Sequence, residues 1–229
     1  MIALLLLGCN PDPGETTQTI DYRDGTDTAT SSGERGSVKI SEVMWSGSVS
    51  SDGTYDPTDQ FIELRNESAR SVNLTGWQLE IDSGSQVTII LPQLPLIPVG
   101  EHIFLATKDT GCFPTPDALI PELSLQYGEP FRLTLVDFDE RLIEPIGNSG
   151  SPPYAGGYDL VRSRSMERVE LMFGGSGMEP GSWHFYTPAE VDVPNNDRIA
   201  PDCQAYTFAS PGRPNSPDYS GAYSTGSFE

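Results

Sequence analysis

Two runs of strictly alternating side chains, separated by a polar break, constrain this chain more than anything else in it. The first is Asp59 to Asn66 (DQFIELRN), with Phe61, Glu63 and Arg65 on one parity and Ile62, Leu64 and Asn66 on the other. The second follows Val72 and carries Trp77, Leu79 and Ile81 on one side, with Gln78, Glu80 and Asp82 opposite. A period of two is the signature of a half-buried strand, and the residues from Asn66 to Gly76 supply turn chemistry between the two. Two strands around one large indole predict the heart of a β-sandwich.

Further alternation supports an all-β body. Val87, Ile89 and Leu91 alternate, as do Ile103, Leu105 and Thr107, and then Phe131, Leu133 and Leu135. Pro92, Pro95 and Pro98 break any ladder, so they belong to a loop or an edge. Phe138 to Arg141 reads as the turn of a hairpin that returns through Leu142 to Ile146. Gly147 to Gly157 and Gly174 to Gly181 read as long loops. The predicted core is Ile40, Ile62, Leu64, Trp77, Leu79, Leu105, Leu133 and Leu135. At 229 residues with 23 Gly and 20 Pro, the chain has length for one such domain with flanking segments and composition for many turns.

Charge excludes one class of partner. Thirteen Lys and Arg stand against 33 Asp and Glu, for a formal net charge of −20. Nucleic acid is held by clustered Lys and Arg, which this composition does not supply, so nucleic-acid binding is not expected.

The first residues carry a targeting signal. Ile2 to Leu7 is apolar, and Leu6-Leu7-Gly8-Cys9 resembles the lipobox of bacterial lipoproteins. That resemblance implies removal of residues 1–8 and acylation of Cys9 by palmitate-type chains. Two acyl chains hold a protein stably at a bilayer, whereas one does so only marginally. No Lys or Arg precedes the short apolar run, which points to a true start upstream of Met1. Residues 9–37 are rich in Asp, Thr, Ser and Gly with almost nothing to bury, and read as a flexible acidic tether. Residues 38–215 form the predicted sandwich, and 216–229 a disordered tail.

Within 38–215 the chain resembles the lamin tail domain family. Ile40, Glu42 and Val43 match its I-x-E-V opening, Asp59 to Asn66 its (E/D)-x-(F/W)-I-E-L-x-N element, and Val72 to Leu79 its V-x-L-(S/T)-G-W-x-L element. Ile97 to Ala106, then Gly128 with Leu133 to Asp137, Ser165 to Val169 and Ser182-Trp183 follow in family order. Ser210 to Asn215 is similar to its closing (S/T)-P-G-x-x-N. The resemblance implies an immunoglobulin-like sandwich with binding or scaffolding duty and no catalysis of its own.

The residues themselves offer few catalytic arrangements. The two histidines, His102 and His184, have no metal-binding spacing, and Gly174 to Gly177 lacks the G-x-S-x-G pattern of a nucleophile elbow. Glu42 shares parity with Ile40, and Glu63 with Phe61, so either can point inward. Two carboxylates brought together raise one pKa and suit acid–base work, as in a hydrolase. The commoner outcome is a salt bridge or hydrogen bond, with Arg65, Arg132 or Arg168 as partner. Asp52, Asp56 and Asp59 crowd one loop, and Asp137, Asp139 and Glu140 one hairpin turn. Hard oxygen ligands of this kind suit calcium, the one cofactor the sequence suggests. Acidic loops are more often simply solvated.

With Cys9 set aside, Cys112 and Cys203 remain, and an exported chain favours their pairing over two buried thiols. The bridge would close a loop of roughly ninety residues and stabilise by about 4 kcal/mol at best. The function expected is therefore a non-catalytic lipoprotein of the bacterial cell envelope, at the outer membrane or cell surface. Its partners would be the lipid bilayer through Cys9 and an envelope protein or glycan. A calcium-dependent adhesion module and a carboxylate-pair hydrolase are the alternatives.

Overall fold

The structure, a computed structural model, describes residues 35–169, 176–187 and 196–218. Cys9, the tether up to residue 34, Gly174 and Gly175, and the tail from residue 219 lie outside the described residues. Two sheets dominate. The first has six strands in the order β14-β13-β1-β4-β7-β8. These are β1 (Val38–Met44), β4 (Phe61–Asn66), β7 (His102–Ala106), β8 (Ala118–Leu119), β13 (Met166–Arg168) and β14 (Trp183–Phe185). The second has four strands in the order β10-β9-β5-β6: β5 (Gln78–Asp82), β6 (Gln86–Ile90), β9 (Arg132–Val136) and β10 (Leu142–Gly147). Two small sheets complete the set: β2 (Ser48–Val49) with β3 (Tyr55–Asp56), and a three-stranded sheet of β11 (Gly157–Tyr158), β12 (Ser163–Arg164) and β15 (Thr207–Phe208).

The two large sheets close on each other as an immunoglobulin-like sandwich. All eight residues named above as core are fully buried, Trp77 among them. Trp77 immediately precedes β5, and its carbonyl accepts from the Leu91 N–H at 2.8 Å, which ties the indole to the far end of the β5–β6 hairpin. Ile40, Ile62, Leu64, Leu105 and Met166 come from one sheet; Leu79, Ile81, Leu133, Leu135 and Ile146 meet them from the other. The predicted hairpin at Phe138 to Arg141 joins β9 to β10, held by Asp137, whose Oδ1 accepts from the N–H groups of Asp139 (2.9 Å) and Arg141 (2.8 Å).

One expectation changes. β4 is not half-buried but covered on both faces, with only Arg65 partly open, and its neighbour β1 is buried at every residue. Beneath the outer face of the six-stranded sheet lies a second, smaller core of Met44, Phe61, Phe104, Ala106, Phe113 and Ile199. It is sealed by the Cys112–Cys203 disulfide, whose Cα atoms are 5.6 Å apart across 91 residues of sequence. Simple alternation assigns one face of a strand to solvent only when nothing later in the chain returns to cover it.

A second departure is a β-bulge. The pairing of β1 with β4 runs in register to Ile40↔Leu64 and resumes at Glu42↔Glu63, so Ser41 is the extra residue. Parity alone would put Glu42 in the core beside Ile40. The inserted residue turns the strand, and Glu42 joins Glu63 on the opposite face.

A buried row of carboxylates and its clasp

The bulge aligns three glutamates across adjacent strands. Glu42 on β1 is the direct cross-strand partner of Glu63 on β4 and of Glu167 on β13. All three are fully buried. His184 on β14 pairs with Glu167 and extends the row. Like charges placed opposite one another in a sheet repel, so the carboxyls require donors or protons.

All but one of the donors named here come from a single returning segment, Ser210 to Ser216. The Ser210 N–H donates to Glu42 Oε1 at 2.8 Å, and its hydroxyl lies 3.2 Å from Glu42 Oε2 while also bonding Glu167 Oε1. The Gly212 N–H donates to Glu63 Oε2, and the Ser41 hydroxyl to Glu63 Oε1 at 2.9 Å. Ser216 donates to Glu167 Oε2 from its N–H (3.1 Å) and its hydroxyl. Asn215 adds a bridge across the strands, its Nδ2 donating to the carbonyls of Ser41 (2.9 Å) and Arg168 (2.8 Å). Gly212 sits at φ 72, a left-handed conformation in which other residues are strained. The S-P-G-x-x-N motif is therefore a clasp. Ser216, assigned to the tail by sequence, is part of it.

Burial, followed by mutual repulsion with Glu167 and Glu63, pushes Glu42 well above the ordinary glutamate value. Burial likewise raises Glu63 to about 8, against the lowering pull of its bonds to Gly212 and Ser41, and raises Glu167. The geometry agrees. The Ser210 hydroxyl has one proton and bridges two carboxyls, so it can satisfy both only where one of them carries a proton and donates back. His102 approaches Glu63 Oε1 at 3.8 Å, but burial lowers its pKa to about 4, so near neutral pH the ring is uncharged and makes no ion pair.

The arginines considered as partners for these glutamates go elsewhere. Arg168, fully buried on β13, donates to Glu144 Oε1 on β10 at 2.9 Å and stacks over Trp183 at 5.1 Å. Lys39 reaches the other oxygen of Glu144 at 3.1 Å, so one carboxylate ties both sheets together. Arg65 pairs with Glu67 at 2.7 Å, and Arg132 lies on β9 in the other sheet, opposite Asp82. Among the described residues, backbone N–H groups and hydroxyls bond the row directly. Sequence reading caught Glu42 and Glu63 but not Glu167, for which the only signal was its place in the Ser165 to Val169 motif.

The calcium candidates are not brought together. Asp52 accepts from the Ser50 hydroxyl and the Thr54 N–H in an exposed turn. Asp56 takes the Lys108 ammonium at 2.5 Å and the Thr58 hydroxyl at 2.7 Å. Asp59 is buried, and its Oδ2 accepts from the Ser48 hydroxyl and the Cys112 N–H, both at 2.6 Å. It anchors the disulfide loop. In the hairpin, Asp137 holds the turn, Asp139 pairs with Arg141 at 3.2 Å, and Glu140 adopts φ 62. Among the described residues no group of three or more His, Cys, Asp or Glu is arranged to hold a metal ion.

Fold and site together define an immunoglobulin-like β-sandwich with a buried, clasped row of carboxyls in its larger sheet. The family model described as Lamin Tail Domain matches residues 31–133, which include β1 to β9 up to Leu133. No curated protein matches the chain.

Proposed function

We propose that this protein is a non-catalytic binding or scaffolding module held at a bacterial cell envelope, at the outer membrane or cell surface. The anchor is lipid on Cys9, and the sandwich presents its surface to an envelope protein or glycan. One observation carries the non-catalytic reading. Both oxygens of Glu42, Glu63 and Glu167 are engaged in hydrogen bonds within the chain itself, beneath a closing segment that leaves them no exposure. General acid–base work needs a titratable group in a concave site within reach of a substrate proton. The row supplies the carboxyls but not the access, and its yield is structural.

The anchoring rests on the Leu6-Leu7-Gly8-Cys9 signal, with −20 net charge favouring a domain that stays off anionic lipid headgroups. The test is metabolic labelling of the full chain with an alkyne palmitate in a lipoprotein-processing bacterium. Label in the membrane fraction that disappears in Cys9→Ser supports the reading. An unlabelled wild-type chain in the soluble fraction overturns it.

A further inference from the structure

One end of the sandwich carries an open groove apart from the glutamate clasp. Its volume is about 380 Å³, within the range of small-ligand sites, and Trp45, Tyr127, Tyr158, Phe185, Arg162 and Arg164 line it. Tyr127 and Phe185 are half exposed, at 50% and 51%. Large aromatic side chains left open at one spot mark a surface built to contact something.

The rings are held rigidly. Tyr55 and Tyr158 stack at 4.0 Å with planes 5° apart, and Tyr127 stacks on Trp45 at 5.7 Å. Their polar ends are bound within the protein: the Tyr127 hydroxyl donates to the Tyr158 carbonyl, the Tyr55 hydroxyl to the Ser46 carbonyl and the Trp45 indole N–H to the Ala155 carbonyl, each at 2.8 Å. Gly156, at φ 76, brings the backbone so close that a Cβ there would lie 2.9 Å from the Trp45 indole nitrogen. Such a platform loses little entropy when it is covered.

Charge distinguishes the groove from the rest of the molecule. In a chain with only 13 basic residues, Arg162 and Arg164 stand side by side, their guanidiniums 5.6 and 5.8 Å from the centre of the Phe208 ring. Neither makes a salt bridge with a carboxylate among the described residues. Asp159, in the turn between β11 and β12, also lines the groove; the N–H groups of Arg162 (2.7 Å) and Val161 (3.0 Å) on its Oδ1, with the charge of both arginines, hold its carboxyl below the usual range. The aromatic ring faces carry negative partial charge and attract the weakly positive C–H faces of a pyranose. The arginines offer forked donors that match a carboxylate. A shallow floor with fixed rings and two forks suits a flat, hydroxylated, acidic ligand better than a protein anchor, which needs a deep dewatered pocket.

We propose that this groove binds an acidic oligosaccharide, with sugar rings against Tyr127 and Phe185 and uronate carboxylates on Arg162 and Arg164. This rests on the binding-module reading above and names the ligand class. The test is calorimetric titration of the full chain with oligogalacturonate, a neutral malto-oligosaccharide of equal length and an oligo-glutamate of equal charge. Oligogalacturonate is expected to bind tightest. The double variant Arg162→Gln/Arg164→Gln should weaken it roughly tenfold and erase its advantage over the neutral sugar. Tyr127→Ala should weaken both sugars, Tyr127→Phe should weaken neither, and Arg141→Gln, in the distant hairpin, should change nothing. Equal binding of oligo-glutamate, or wild-type affinity in the double variant, overturns the proposal. So does failure of every sugar to bind; if Cys9-dependent membrane labelling persists, the glycan assignment alone falls.

Discussion

Glu42 and Glu63 stand directly opposite one another on adjacent antiparallel strands, both fully buried, and a β-bulge at Ser41 puts them on the same face. With Glu167 on the other side of Glu42, they form a row that the Ser210 to Ser216 segment covers and satisfies. This relationship makes the fold sensitive to proton concentration and gives the closing motif its physical role.

The first expected outcome concerns pH. Glu63 rises from its ordinary 4.5 to about 8 on folding, and Glu42 and Glu167 also rise. Between those values the native state holds more protons than the unfolded chain, so stability falls as pH increases. The contribution is complete below 4.5 and is lost as pH climbs through about 8. A loss of about 2–3 kcal/mol would lower the melting temperature by about 5–10 °C between pH 5 and pH 8.5. Calorimetry across that range checks it, and Glu63→Gln, which is neutral throughout, should flatten the slope.

The clasp can be opened at Asn215. Replacing it by Ala leaves the Ser41 and Arg168 carbonyls without their side-chain donor. The expected cost is about 2 kcal/mol in urea unfolding. Hydrogen exchange should quicken at the N–H groups of Ser210, Gly212 and Ser216 before it changes in β5 or β9. Uniform loss of protection throughout would show that the segment is not a separable clasp.

Glu144 should be costlier than any exposed charge. It is the shared partner of Lys39 and the fully buried Arg168. Glu144→Ala removes the carboxylate that both cations share and is expected to destabilise by about 3 kcal/mol. Breaking the exposed Arg141–Asp139 pair should cost well under 1 kcal/mol by the same denaturation measurement.

Reducing the Cys112–Cys203 bridge removes a constraint spanning 91 residues and exposes the second core to loosening. Loss of about 3–4 kcal/mol is expected, read as a fall in melting temperature of roughly 10 °C with reductant. An unchanged transition would mean that the bridge adds nothing to the packing of Phe61, Phe104 and Phe113.

Trp77→Ala is expected to cost about 3–5 kcal/mol because the fully buried indole fills the space between the sheets. A folded variant with a wild-type midpoint would contradict that placement.

What could be read directly from the chain was whatever depends on neighbours in sequence. Ile62 and Leu64 alternate with Phe61 and Glu63 because a strand sends successive side chains to opposite faces. The turn at Phe138 to Arg141, the prolines between Leu91 and Pro98, and the buried indole followed from equally local rules. The side of the sheet on which Glu42 lies did not, because one inserted residue at Ser41 inverts the parity and nothing within a few residues announces it. Nor did the fate of its carboxylate: Glu167 and Ser210 arrive from more than a hundred residues downstream, and only closure of the chain decides whether a carboxyl meets an arginine, a backbone N–H or another carboxyl. Asp59 makes the same point: it sits in an acidic loop in sequence, yet the fold turns it inward to accept from the Ser48 hydroxyl and the Cys112 N–H. Local periodicity is a property of the backbone and survives in any context. Electrostatic environment is set by which distant segments come to rest against a side chain, and so belongs to the tertiary structure alone.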